Sequence, residues 1–192
     1  MRACKLAMLV GVCLGLWGIT PSRAEPLYDK PVYNPGTKSY FELKKIESIR
    51  SLSDTLTVNM TMWPNVSKMA EKLEFEGVHG RLAVVKNLET HEFLERTFQP
   101  KTNVWIGLRF WCASRRLQYT DGTYWQPGDF HAWAPQWDQS AVEDPCWEWH
   151  MKGLPQFMPV AYNPLSEGFR WIAKEWHKGY EDLLVEYPTG HP

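Results

Sequence analysis

The stretch Asn103-Val104-Trp105-Ile106-Gly107-Leu108-Arg109-Phe110 decides how the rest of this chain is read. Val104, Ile106, Leu108 and Phe110 alternate onto one face and Trp105 onto the other, the period-two pattern of a strand lying on a core. Downstream, Asp121-Gly122 is a hairpin signal between Leu117–Thr120 and Thr123–Trp125. Residues 126–145 are rich in Pro, Gly, Asp and Trp, with little periodicity. They form a long loop, a feature that in compact domains is functional or disordered, and the tryptophan content argues against disorder. Trp147–Met151, Met158–Tyr162, Phe169–Ala173 and Asp182–Tyr187 each fit a short strand.

Upstream the pattern changes period. In Pro64–Leu73, Val66, Met69, Ala70 and Leu73 fall at i, i+3, i+4 and i+7, one apolar stripe on a helix that starts with proline in its first turn. Gly77 and Gly80 end it, and Leu82–Val85 is a short buried strand. Asn87 starts a second helix, Leu88–Thr97, that buries Phe93, Leu94 and Phe98. Ser39–Lys45 is an imperfectly alternating strand, and residues 46–60 have no clear pattern beyond a possible insertion. Residues 25–36, with Pro26, Pro31, Pro35 and Gly36, are an extended lead segment. One strand, two helices and then many short strands give an α+β domain over residues 37–189.

Composition bounds the function classes. The chain has 192 residues, 44% hydrophobic and 22% charged, enough apolar content for one domain with a sizeable core. It shows no repeat, heptad run or collagen period. Nine of the eleven tryptophans lie from Trp105 to Trp176. Residues 1–24 fit a signal peptide: Arg2 and Lys5, the apolar run Leu6–Ile19, then Ser22-Arg23-Ala24 with small residues at −3 and −1 of a cut. That run is too short for the roughly 20 residues of a bilayer span. The expected protein is therefore exported, periplasmic or secreted, with no stable membrane span. Without residues 1–24, 18 basic side chains face 22 acidic ones, and no Lys/Arg cluster stands out, so a nucleic-acid partner has no electrostatic support. In an oxidising compartment the surviving pair, Cys112 and Cys146, is expected to form a disulfide that closes a loop of about 34 residues and adds about 3 kcal/mol. The alternative is two buried thiols.

The ordered series resembles the C-type lectin-like domain. The residues that carry the likeness are Tyr40-Phe41-Glu42-Leu43, Trp63 with its helix, Gly80-Arg81-Leu82-Ala83-Val84-Val85, Glu89 with Phe93-Leu94, and Trp105-Ile106-Gly107-Leu108. Thr120-Asp121-Gly122, Trp133-Ala134-Pro135, Glu143-Asp144 before Cys146, and Leu184-Val185-Glu186-Tyr187 follow in order, the last in a form common in bacterial members. The resemblance implies two helices, antiparallel sheets and a long binding loop. Sugar-binding members hold calcium through a Glu/Gln-Pro-Asn/Asp triplet and a later Asn-Asp pair. Here the triplet position is Gln136-Trp137-Asp138, and Ile172-Ala173 follows Trp171. Calcium needs six to eight oxygens, so calcium is possible but disfavoured at this site, and no cofactor is expected.

The candidate ligand-binding residues are Trp125, Trp133, Gln136, Trp137, Asp138, Glu143 and Asp144. Exposed aromatic faces stack on sugar C–H faces and the polar groups bond hydroxyls, whereas the structural alternative packs the rings in a core. His131, His150 and His177, with Asp138 or Glu148, lack metal-ligand spacing. The expected function is an exported binding module, with no catalysis, for a glycan or an extracellular or envelope protein. The alternatives are a periplasmic enzyme on a related fold and a structural or host-interaction domain. Formylglycine-generating oxidases share the architecture, but they rely on paired reactive cysteines in a larger domain.

Overall fold

The structure, a computed structural model, describes residues 25–53, 59–137, 157–173 and 179–192. In chain order its elements are β1 (Val32–Asn34), β2 (Ser39–Lys45), a 3-10 turn at Ile46–Leu52, α1 (Trp63–Lys72), β3 (Glu74–Phe75) and β4 (Val78–His79). Then come β5 (Arg81–Leu82), α2 (Leu88–Phe98), β6 (Val104–Trp111), β7 (Arg116–Tyr119), β8 (Phe157–Tyr162), β9 (Trp171–Ala173) and β10 (Asp182–Tyr187). The main sheet runs β1-β2-β10-β6-β8-β9, with β5 also on β10 and β7 also on β6. Only the β10–β6 pair is parallel; the other described pairs are antiparallel. The architecture is α+β, as its sequence pattern predicts.

Local chemistry accounts for both helices. α1 carries Pro64 at its start, where a missing N–H costs nothing, and buries Val66, Met69 and Ala70 against Leu82, Trp105, Leu183 and Val185. α2 is capped by Asn87, whose side chain accepts from the Thr90 N–H at 2.8 Å. Gln99 closes it in the left-handed region at φ 45°. Leu94 and Phe98 of α2 enter a second cluster with Leu43, Val104, Ile106, Leu108 and Leu184. The sheet is thus covered on both faces, and that is why its central strands lose the apolar/polar alternation of a half-exposed strand.

Several expectations shift by a few residues. Of Leu82–Val85 only Leu82 lies in a strand, although Ala83, Val84 and Val85 are all buried. Gly77 does not cap α1; with φ 76° it sits in the turn of the β3–β4 hairpin. The arm expected at Thr123–Trp125 shrinks to a Gln118–Tyr124 bridge around a turn where Gly122 has φ 85°. β9 begins at Trp171 because Phe169, at φ 51°, is held in a loop by stacking on Tyr162 with ring centroids 3.9 Å apart. Ile46–Leu52, unpatterned in sequence, buries Ile46 and Ile49 against the α1 side. The lead segment is extended, and Val32–Asn34 adds to the sheet beside β2. No helix among the described residues is long and apolar enough to cross a membrane.

Candidate functional site

The surface chemistry starts from β6. Trp105, Gly107, Arg109 and Trp111 alternate on the face opposite Val104, Ile106 and Leu108. Trp105 is fully buried and its Nε1 donates to the Thr61 carbonyl at 2.8 Å. A Cβ on Gly107 would run into the carbonyl oxygen of Leu82 and the hydroxyl of Thr120, with the Ala83 carbonyl 3.0 Å away. Only glycine lets β5 and Thr120 approach this closely. The β6–β8 register also shifts between Trp105 and Arg109, an irregularity of the kind that re-aims side chains.

Past that shift the face changes character. The Arg109 guanidinium carbon lies 4.6 Å from the Trp111 ring centroid and 5.6 Å from those of Trp63 and Phe157. Its Nη2 donates to Gln118 Oε1 at 3.0 Å, and Trp111 Nε1 donates to the same oxygen at 2.8 Å. Burial lowers the pKa of Arg109 from the ordinary guanidinium value. On β7, the Arg116 guanidinium lies 4.0 Å from the centroid of the Tyr124 ring, which is exposed.

The loop residues picked out in the sequence are seated by contacts of their own. Trp125 is half-buried, donates from its backbone N–H to Leu117 and from Nε1 to the Phe130 carbonyl at 3.0 Å, and packs against the α2-side cluster. Trp133 is half-buried, bridges to Trp171 and meets its ring edge-on at 5.6 Å. Trp137 ends a 3-10 turn at Pro135–Trp137 and is also half-buried. Trp133 and Trp137 both rest on the small cluster of Cys112, Met158 and Ala173, and Gln136 between them is exposed. Packing and accessibility therefore coexist in these rings. Asp138, Glu143, Asp144 and Cys146 lie outside the described residues, as do His150, Glu148 and His177. His131 is exposed.

Sequence reasoning missed three side chains that organise this region. Arg109 and Gln118 occupy strand positions that read as solvent-facing; only the arrival of Trp63 and Phe157 turns the first into a framed cation. His91, on α2, is buried, with its Nδ1 2.9 Å from the Tyr162 hydroxyl and its ring stacked on Phe169. Burial, reinforced by the charge of Arg170 and opposed by Glu92, lowers its pKa to about 4. Among the described residues no three His, Cys, Asp or Glu side chains gather as a metal cluster.

No family model and no curated protein matches this sequence. Solved structures do match its fold. The cow C-type carbohydrate-recognition domain of CD23, determined in the presence of a GlcNAc2Man3 oligosaccharide, is 17% identical over 85% of this chain and 96% of that one, with a TM-score of 0.51. CEL-IV is 12% identical over 81% of this chain and 90% of that one, with a TM-score of 0.50. The chain has the C-type lectin-like fold.

Proposed function

We propose that this chain is an exported, non-enzymatic binding module that recognises a glycan without calcium. The observation that carries the reading is the short segment in which Trp133 and Trp137 share one apolar footing and Gln136 stands exposed between them. Two half-buried indoles keep part of their faces for a sugar's C–H surface while their seating limits the entropy lost on binding. The fold shared with a carbohydrate-recognition domain supports the same reading.

The residues in the calcium-ligand positions do not fit the ion. Ile172 and Ala173 are buried and carry no side-chain oxygen, and Trp137 packs its ring on apolar neighbours. Calcium needs six to eight oxygen ligands. Export belongs to the proposal through residues 1–24, and a Cys112–Cys146 disulfide follows from the compartment. Cys112 itself is buried.

A glycan array read in calcium and again in chelator tests the proposal. Binding that survives chelation and weakens in Gln136→Ala is the expected result. Binding abolished by chelator would remove the calcium-independent mode, and a blank array would leave protein recognition instead. Amino-terminal sequencing of protein recovered from the envelope or medium should begin near Glu25.

A further inference from the structure

We infer that the outer face of the β6–β7 hairpin binds the anionic substituent, carboxylate or sulfate, of an acidic sugar. The inference rests on the glycan-binding reading above and names the class of glycan. The strand register builds the face. Arg109 pairs with Gln118 and Trp111 with Arg116, while Tyr124 bridges to Gln118. Directly paired residues point to the same side of a sheet, so these five side chains share one surface.

Two guanidiniums stand on that face with no carboxylate partner among the described residues. Among the described residues neither Arg109 nor Arg116 has an acidic group within salt-bridge distance, whereas Arg50, Arg81 and Arg96 each have one. Arg109 is the more telling of the two. Its Nε is buried with no hydrogen-bond partner, and its Nη2 bonds a neutral amide. Removing a cation from water is costly without a counter-charge, and the surrounding rings offset only part of that cost. An anion supplies the missing term through short, charge-assisted and often bidentate hydrogen bonds. The hairpin's own acid does not compete: Asp121 is tied to Lys86 Nζ at 2.6 Å and to the Thr123 hydroxyl and backbone N–H.

The aromatic content selects a sugar as the carrier of that charge. Tyr124 is exposed, and the Trp111 ring is held in place by its Nε1 bond to Gln118. Such rings take the apolar face of a pyranose. Arg116 lies over the Tyr124 ring at 4.0 Å, a contact that leaves guanidinium N–H groups to meet an acid. Gln118 Oε1 accepts from both Arg109 and Trp111, so one amide fixes cation and ring together.

The test is calorimetric titration of the full chain with three sets of defined oligosaccharides: neutral, carboxylated and sulfated, each at low and high salt. The acidic sets should bind at least tenfold more tightly than the neutral one, and the preference should shrink as salt rises. Whichever acidic set leads identifies the substituent. Arg116→Gln, on the surface, should cost about tenfold for acidic ligands alone, with an unchanged Tm. Arg109→Gln should cost more; if it fails to fold, Tyr124→Ala takes its place and should weaken binding of the same ligands. Equal binding of neutral and acidic glycans, or indifference to Arg116→Gln, overturns the inference and leaves the glycan-binding proposal standing. Binding of an acidic peptide as tightly as an acidic glycan also overturns it. Failure of all three sets overturns both readings.

Discussion

Strand β6 passes through two environments within eight residues. From Val104 to Leu108 every residue is buried, whereas Arg109, Phe110 and Trp111 are each partly open. Side chains alternate in both halves, with the register against β8 shifting between Trp105 and Arg109. What differs is the cover: the first half lies between the α1-side and α2-side clusters. In the second, the face carrying Arg109 and Trp111 meets Trp63 and Phe157 at its edge and solvent beyond. The comparison teaches that a strand's chemistry is set by what arrives over it from distant sequence. The half that holds the fold and the half that offers polar and aromatic groups differ in their neighbours more than in their own pattern.

The contrast breaks most readily at its buried end. Trp105→Ala should cost about 4 kcal/mol and leave no cooperative transition at physiological temperature, since a fully buried indole and its bond to Thr61 are lost. A loss below about 1 kcal/mol in urea denaturation would mean that this half is not a core. Gly107→Ala should cost about 3 kcal/mol by forcing β5 and Thr120 away, read as a fall in Tm.

His91 reports on the same buried half, because its partner Tyr162 pairs with Val104. The folded histidine takes up a proton only near pH 4, below its ordinary value of 6.5. Between those values the unfolded chain binds the proton and the folded chain does not, so acidification favours unfolding. Its contribution should be complete above pH 6.5, fall by about 3 kcal/mol on the way to pH 4, and level off below. Denaturation midpoints of wild type and His91→Phe across that range isolate the effect; parallel curves would show that His91 stays hydrated. Gln118→Ala gives the smallest change, about 1 kcal/mol, because it unties Trp111 and Arg109 on the open half without opening a core. A larger drop in Tm would move that half into the core and sharpen the boundary toward Trp111.

Much of the fold was legible because burial imposes a period. Val104, Ile106 and Leu108, the α1 stripe and the Asn87 cap all read correctly from sequence, since each obeys a local rule. Ile46–Leu52 was not legible: its buried residues, Ile46 and Ile49, are too few to set a pattern. Phe169 broke the expected strand because a tertiary stack on Tyr162, invisible locally, fixes its backbone. The candidate site divides the same way. The indoles of the long loop were found from composition, and the structure seats Trp125 and Trp133 on the α2-side cluster and Trp133 and Trp137 on the Cys112 cluster. Arg109 and Gln118 carried no signal, because a polar residue on a strand looks the same whether water or aromatic rings will face it.

β10 has a consequence for synthesis. It lies between β2 and β6 and also receives β5, so three earlier segments share a strand formed by residues 182–187. A chain emerging from the ribosome holds Leu43, Leu82 and Trp105 long before their common neighbour exists. The two ends of the β2–β10 ladder must close over about 140 residues, a slow, late step for any topology. The decisive step of folding therefore waits for residues 182–187, and a message cut short before Asp182 yields a chain whose core has no middle, a substrate for chaperones and proteases.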